Sequence, residues 1–454
     1  MEVHSIEALL RNTADSQELL AFPGPLKPGV THKNDVIKFC EKKIAAAEGR
    51  RDIADKESYV LLWEMLVLLL RQKGQVEGSD LAELLLRGGE KEREQEESCS
   101  ISSLNNEEIF ETSVVTSRTA VNTGGDVNKF RSYLLHGNKT EGLEYAMSVG
   151  LWGHALFLAS KMDQRTYASV MTRFANGLVI NDPLQTLYQL MSGRVPGAMK
   201  QCGDRRWGDW RPHLAMILSN TLPGTDINRR SIITLGDTLL AKGQLYAAQF
   251  CYIVSAAEWG SFSNKTAKLV LLLSSPTDLS LQQFASIEAI QCTEIYEFVQ
   301  KLGNKDYSMP FLQVGWKMQV MLAGLTLIVL FQPYKYLQLT RLLEAGLTTR
   351  AQDYTRVLAQ FLINAAASAN MVEQSTFPNW VSNTLYLAEK LKYLVRLGGT
   401  VTTKLPHVTL QDPVYTTTQG EISEIADPDW LGEFSSAVLA LSHQQFSAQS
   451  DQQG

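Results

Sequence analysis

Residues 143–160 read LEYAMSVGLWGHALFLAS. An amphipathic run stops at Gly150, and a second run opens at once, with the small residue Ala155 five positions on and Phe157 after it. Glycine takes up the left-handed conformation that closes an α-helix, and alanine lets the following helix cross its partner closely. The stretch therefore predicts a helical hairpin. The same arrangement recurs at Gly243-Gln-Leu-Tyr-Ala-Ala248 with Phe250, and at Gly346-Leu-Thr-Thr-Arg-Ala351 with Tyr354. Gly137 and Gly142 keep the spacing with glycine in place of alanine. The three starts lie 93 and 103 residues apart, too far and too unevenly for a tetratricopeptide array of about 34 residues per repeat. The expectation is an all-α fold, an irregular α-solenoid of antiparallel helix pairs.

Working outward from these hairpins, the helical pattern extends over residues 126–397. Residues 1–87 form a second helical part. Within it, Tyr59–Leu70 (YVLLWEMLVLLL) is apolar nearly all round apart from Glu64, which implies a helix enclosed by others. Between the two lies a linker, residues 88–125. Its GGEKEREQEESCS carries five Glu against two basic residues, and the remainder of the linker is rich in Ser, Thr, Asn and Gly. Such a segment buries too little apolar surface to offset its ordering entropy. Residues 398–454 are polar in the same way, with seven acidic and two basic residues from Arg396 onward, and are expected to be mostly disordered. Asp429-Trp430-Leu431 with Phe434 is the place in that tail where apolar side chains could dock on the body or a partner.

The whole chain has 454 residues and is 44% apolar, ample for more than one core. Its 48 acidic and 42 basic side chains leave a net charge of −6, which provides no basic field for nucleic acid. Five cysteines, none in a C-x-x-C pair, argue against a zinc site or a disulfide framework and for buried, inert thiols in a reducing compartment. MQVMLAGLTLIVLFQPY, within residues 318–334, is interrupted by Gln319, Gly324 and Thr326 and falls short of the roughly 20 apolar residues of a bilayer span. A buried helix is the expectation there, and a membrane-anchored adaptor through residues 318–332 the alternative.

No nucleophile elbow, phosphate loop, dinucleotide fingerprint or H-E-x-x-H helix is present, and the seven histidines form no i,i+4 pair. No metal, cofactor or catalytic residue is expected. The densest polar constellation is CGDRRWGDWRPH, residues 202–213. An enzymatic reading, hydrolase-like, would use Asp209, Arg211 and His213. The preferred reading is a structural or interaction turn of Asp204, Trp207, Asp209, Trp210 and Arg211, in which Asp209 caps the next helix, Pro212 lies in its first turn and the indoles pin the loop to the core.

That region also carries a resemblance. LWGHALFLASKMD, INDPLQTLYQLMSGR and WGDWRPHLAMILSN, between Leu134 and Asn220, closely resemble the central domain of the Sec-sixteen family, scaffold proteins of endoplasmic reticulum exit sites. Looser similarity runs from EVHSIEALL and FPGPL near the start to DPDWL near the end. The resemblance implies a helical domain of the ancestral coatomer type and a non-enzymatic scaffold that organises COPII vesicle coat assembly in transport from the endoplasmic reticulum to the Golgi. It implies a homodimer, peripheral to the cytosolic face of the endoplasmic reticulum membrane at exit sites, with the early Golgi as a further location. Its partners would be COPII coat subunits, foremost the Sec-thirteen β-propeller, to which the family adds a blade. Here Met1-Glu-Val-His-Ser5 is similar to only the last strand of that blade. Val3, His4 and Ser5 are expected to be its remnant, and the propeller contact to be incomplete for want of the rest. Against the family pattern, residues 311–330 read as an insertion, with Phe331-Gln-Pro-Tyr-Lys335 matching the resumed sequence.

Overall fold

The computed structural model describes residues 10, 12–87, 123–179, 182–202, 209–220, 226–262, 264, 266–275, 279–302, 332–367, 383–391, 431–432 and 434–436. Among them the regular structure is helical, and a lone bridge joins Trp259 to Leu269. In chain order the helices are α1 (Ala14–Ala21), α2 (Lys33–Ala47), α3 (Lys56–Arg71), α4 (78–87), α5 (Thr123–Leu135), α6 (Lys139–Ser148), α7 (Trp152–Ser160), α8 (Gln164–Asn176) and α9 (Pro183–Met191). They continue with α10 (Ala198–Gln201), α11 (Trp210–Ser219), α12 (Asp226–Ala241), α13 (Leu245–Val254), α14 (Leu281–Phe284), α15 (Ile287–Leu302), α16 (Gln332–Glu344), α17 (Thr348–Ala367) and α18 (383–391). The all-α expectation holds over the described residues.

The chain divides into two compact units, one of Cys40–Glu258 with 303–323 and the other of residues 1–39, 259–302 and 324–454, so that the division falls inside α2.

In the Cys40–Glu258 unit each helix from α5 to α8 packs on its successor; α9 meets α11, α10 meets α11 and α12, α12 meets α13, and α13 meets α3. The α5–α6, α6–α7 and α12–α13 joints fall at the predicted glycines Gly137, Gly150 and Gly243. At Gly150 (φ 83) the Leu151 N–H reaches the Ala146 carbonyl at 2.8 Å and the Gly150 N–H reaches Met147 at 3.3 Å. At Gly243 (φ 80) Gln244 reaches Leu239 at 3.0 Å and Gly243 reaches Leu240 at 2.9 Å. This pair of bonds satisfies carbonyls that a helix end leaves open, and it requires the left-handed residue between them. Gly137 and Gly193 repeat the arrangement. Ala155 and Ala248 are fully buried at the crossings that follow. Phe250 is buried like Ala248, but Phe157 stands 70% exposed. The first hairpins enclose Phe130, Leu143, Ala146, Met147, Ala155, Ala159 and Val170. Helix α3 is buried nearly all round, as its composition required, through Tyr59, Leu61, Leu62, Trp63, Met65, Leu66, Val67, Leu69 and Leu70. Each large side chain so enclosed contributes roughly 1.5–3 kcal/mol.

In the other unit α16 and α17 form the third hairpin, closed at Gly346 (φ 76) with Leu347 N–H on Leu342 at 2.8 Å. Ala351 is buried there, and Tyr354 is 2% exposed. Leu339, Leu342, Leu347, Ala351 and Leu358 pack with Leu19 of α1, while Ala359, Ala388, Leu431 and Phe434 make a second cluster. Leu431 and Phe434 are thus docked on the body, on α17 and α18.

Candidate functional site

The polar constellation around residue 209 is built from a helix start. Asp209 sits in extended backbone (φ −70, ψ 139), and its carboxylate accepts the Arg211 N–H of α11 at 3.2 Å, a side-chain cap on donors that have no partner within the helix. Trp210 is 4% exposed, its ring 6.2 Å from that of Phe250 on α13. The Arg211 guanidinium donates to Glu57 at 2.7 Å, reaching across 154 residues of sequence to the first turn of α3. Arg211 is largely buried in that pair while Glu57 faces solvent, so the bond fixes geometry more than it adds stability, about 1 kcal/mol or less.

His213, one turn on, is 2% exposed, and its Nδ1 is 2.8 Å from the Thr186 hydroxyl of α9. Burial pushes its pKa below the ordinary value, against the opposing charges of Asp209 and Asp182. The ring is therefore neutral and enclosed, and Asp209 spends its oxygen on the helix start. A base must reach the proton it abstracts, and this imidazole has no open side toward solvent. Asp204 and Trp207, named with this turn, lie outside the described residues, as do Val3, His4 and Ser5 of the propeller-contact remnant. So do residues 311–331, which hold the apparent insertion and all but the last residue of the adaptor segment.

A second polar constellation lies in the other unit and has no counterpart in the motifs read from the sequence. Helix α1 ends at Phe22 with no basic side chain in its last turn. Its carbonyls are taken instead by distant side chains: Gln291 of α15 donates to the Glu18 carbonyl at 3.4 Å, and Arg350 of α17 donates to those of Leu19 and Phe22 at 2.7 and 2.9 Å. Four residues on, the Leu26 N–H donates to Glu294 at 2.9 Å, and the Tyr354 hydroxyl donates to the other oxygen of the same carboxylate at 2.8 Å. Leu19, Phe22 and Leu26 are buried, and the Phe22 ring meets Phe39 edge-on at 5.2 Å. Gly24 lies so close that a β-carbon there would stand 2.3 Å from the Tyr354 hydroxyl and from the Phe22 ring.

The charges behind this contact are divided between two carboxylates. Burial raises the pKa of Glu294, more than the nearby Lys335 and the two donors lower it. Burial acts on Glu297 in the same sense, but there Lys335 and Lys301 outweigh it and hold the carboxyl below its usual range. Glu297 takes both ammonium groups, Lys301 at 2.9 Å and Lys335 closer still, whereas Glu294 serves as acceptor for the segment at residues 18–26. The signal for this site was present in Phe22-Pro-Gly-Pro-Leu26 and in three Glu and two Gln set among the apolar residues of α15. It could not be paired by spacing, since Leu26 and Glu294 are 268 residues apart.

Among the described residues no group of three or more His, Cys, Asp or Glu side chains is placed to hold a metal ion, and no helix is long and apolar enough to cross a membrane. Cys40, Cys202, Cys251 and Cys292 are buried and outside any disulfide; burial pushes the thiols of Cys40 and Cys202 up to about 12 and raises that of Cys251 as well. An open cleft of about 320 Å³ at the end of α5 is lined by Lys129, Ser132, Tyr133, His136 and Asn138. Its polar groups already have local partners: His136 meets the Ser132 carbonyl, Asn138 meets Glu141, and Lys129 lies over the Tyr145 ring.

Comparison with known proteins adds what the geometry does not contain. A family model described as the Sec16 Sec23-binding domain matches residues 130–384, and one described as the mid-region of the vesicle coat trafficking protein Sec16 matches residues 1–74. Mouse protein transport protein Sec16A is 44% identical over 402 residues, covering 83% of this chain and 16% of the relative. Mouse Sec16B is 40% identical over 403 residues, covering 86% of this chain and 36% of the relative. The chain thus spans about a sixth and about a third of the lengths of these two proteins. The COPII coat assembly protein SEC16 of Yarrowia lipolytica is 25% identical over 388 residues, covering 83% of this chain and 15% of that protein. Among solved structures, the Sec13/Sec16 complex of S. cerevisiae aligns over 85% of this chain and 91% of that one, with a TM-score of 0.48 and 17% identity.

Proposed function

We propose, for a chain that belongs to the Sec16 family, a non-enzymatic scaffold role in COPII vesicle coat assembly during protein transport from the endoplasmic reticulum to the Golgi. The observation that carries this reading is the match of a Sec16 domain model across residues 130–384, the span that holds most of the helical hairpins. The geometry supports it from the chemical side. Asp209, Arg211 and His213, the residues a hydrolase reading would use, are spent on a helix cap, a pair with Glu57 and a buried bond to Thr186.

The partners of such a scaffold are coat subunits. The domain model is described by its binding to Sec23, which supports Sec23 as one partner of this chain. The likeness of Met1–Ser5 to the last strand of an added blade supports the Sec13 propeller as another, with Val3, His4 and Ser5 as the remnant of that contact. The turn at Asp204, Trp207, Asp209, Trp210 and Arg211 serves as a structural or interaction element. The chain would act as a homodimer, peripheral to the endoplasmic reticulum membrane at exit sites and reaching the early Golgi. The full chain, immobilised and offered purified Sec23 and Sec13 separately, is expected to retain Sec23. Sec13 retention that falls when Val3, His4 and Ser5 are replaced by glycine would support the propeller contact. Retention of neither protein would remove the partner assignment, and a fluorescent fusion spread evenly through the cytosol would remove the location.

A further inference from the structure

The contact of residues 18–26 with α15 and α17 has the chemistry of peptide recognition rather than of ordinary core packing. Four side chains read main-chain groups or the carboxylate that holds them: Gln291, Glu294, Arg350 and Tyr354. Three apolar side chains, Leu19, Phe22 and Leu26, are buried as anchors at intervals of three and four residues. Gly24 meets the Tyr354 hydroxyl at a distance that admits no side chain. Main-chain bonds supply affinity and anchor pockets supply specificity in the general modes by which proteins bind peptides. Helix α1 has only eight residues, too few to persist alone in water, so the segment owes its order to the surface on which it lies. Beyond it the chain turns through Pro28, Gly29 and Val30, all exposed, with Gly29 at φ 83 and Val30 N–H on the Lys27 carbonyl at 3.2 Å.

We propose that the surface formed by Gln291, Glu294, Arg350 and Tyr354 is a peptide-binding site, which this chain fills with its own residues 18–26. Its ligand is a short helix end followed by an aromatic residue, Pro-Gly-Pro and leucine, read through backbone carbonyls by Arg350 and through one backbone N–H by Glu294. The exposed turn at 28–30 makes the ligand separable from the body without disturbing a buried group.

The test begins with the full chain carrying a site-specific protease sequence in the turn at residues 28–30. After cutting, the helical circular dichroism should persist and the released N-terminal piece should co-elute with the body on gel filtration. A fluorescent peptide of residues 12–29 should then exchange into the cut protein and be displaced by the same peptide unlabelled. Gly24→Ala and Phe22→Ala peptides should bind at least about tenfold more weakly, as should the native peptide to a cut protein bearing Arg350→Ala. Loss of the helical signal on cutting would overturn the proposal by making the segment part of the fold. So would departure of the piece without uptake of the peptide, or equal binding of the Gly24→Ala peptide.

Discussion

At the scale of single residues, Asp209 and His213 make predictions that separate a structural turn from a reactive one. The cap needs an acceptor and not a charge, and asparagine caps as well as aspartate. Asp209→Asn should therefore leave the stability within about 0.5 kcal/mol of the parent, while Asp209→Ala should cost about 1 kcal/mol, read by chemical denaturation. His213 gives a pH dependence whose sign follows from its lowered pKa. In the unfolded chain the imidazole takes a proton near pH 6.5, whereas in the fold it does so only at lower pH. Stability is thus fully present above the unfolded value and falls as the pH drops from there through the folded one. The parent protein should lose stability on going from pH 7 to 5, and His213→Gln, which keeps a polar partner for Thr186 without the titration, should lose less. Equal losses in the two proteins, followed by thermal melting across that range, would remove His213 from the account.

At the scale of elements, the hairpin joints were legible because their physics is local. A left-handed residue closing a helix is fixed by bonds that span six residues, and Gly150, Gly243 and Gly346 state it in their own identity. The cap at Asp209 was legible for the same reason. One joint carried no such sign: Ala256 takes φ 50 at the end of α13, with the Ala257 N–H on the Tyr252 carbonyl at 2.9 Å. The site at residues 18–26 was illegible because its bonds join segments that only the fold brings together, Leu19 and Arg350 being 331 residues apart. The joints themselves invite a paired test. No atom lies within 4 Å of where a β-carbon at Gly243 would stand, so Gly243→Ala should be destabilised by backbone strain alone, about 1 kcal/mol. Ala256→Gly should run the other way and stabilise by about 0.5 kcal/mol, the relief of strain exceeding the gain in unfolded-chain entropy. Both are read by urea denaturation, and the same sign for the two would contradict the left-handed assignment.

At the scale of the whole molecule, a protein whose chemistry is that of packed surfaces is best followed by how its units open. Four buried cysteines provide the means: Cys292 lies in the unit that holds residues 18–26, and Cys40, Cys202 and Cys251 lie in the unit of the Gly150 and Gly243 hairpins. A thiol reacts as its thiolate, and burial both covers these sulfurs and, at Cys40, Cys202 and Cys251, raises their pKa. Labelling of any of the four must therefore wait for local opening, whose free energy differs from one part of a structure to another. Glu294→Ala strands the Leu26 N–H and the Tyr354 hydroxyl, a loss of about 2 kcal/mol or more, and should hasten labelling of Cys292 by at least about tenfold. Asp209→Ala weakens the start of α11 and should hasten labelling of Cys202, the sulfur whose thiolate feels the Asp209 charge. Peptide mapping after a thiol-alkylating pulse in native buffer reads each site separately. Rapid labelling of Cys292 in the parent protein would show that the surface around α15 is open, and that residues 18–26 do not hold it closed.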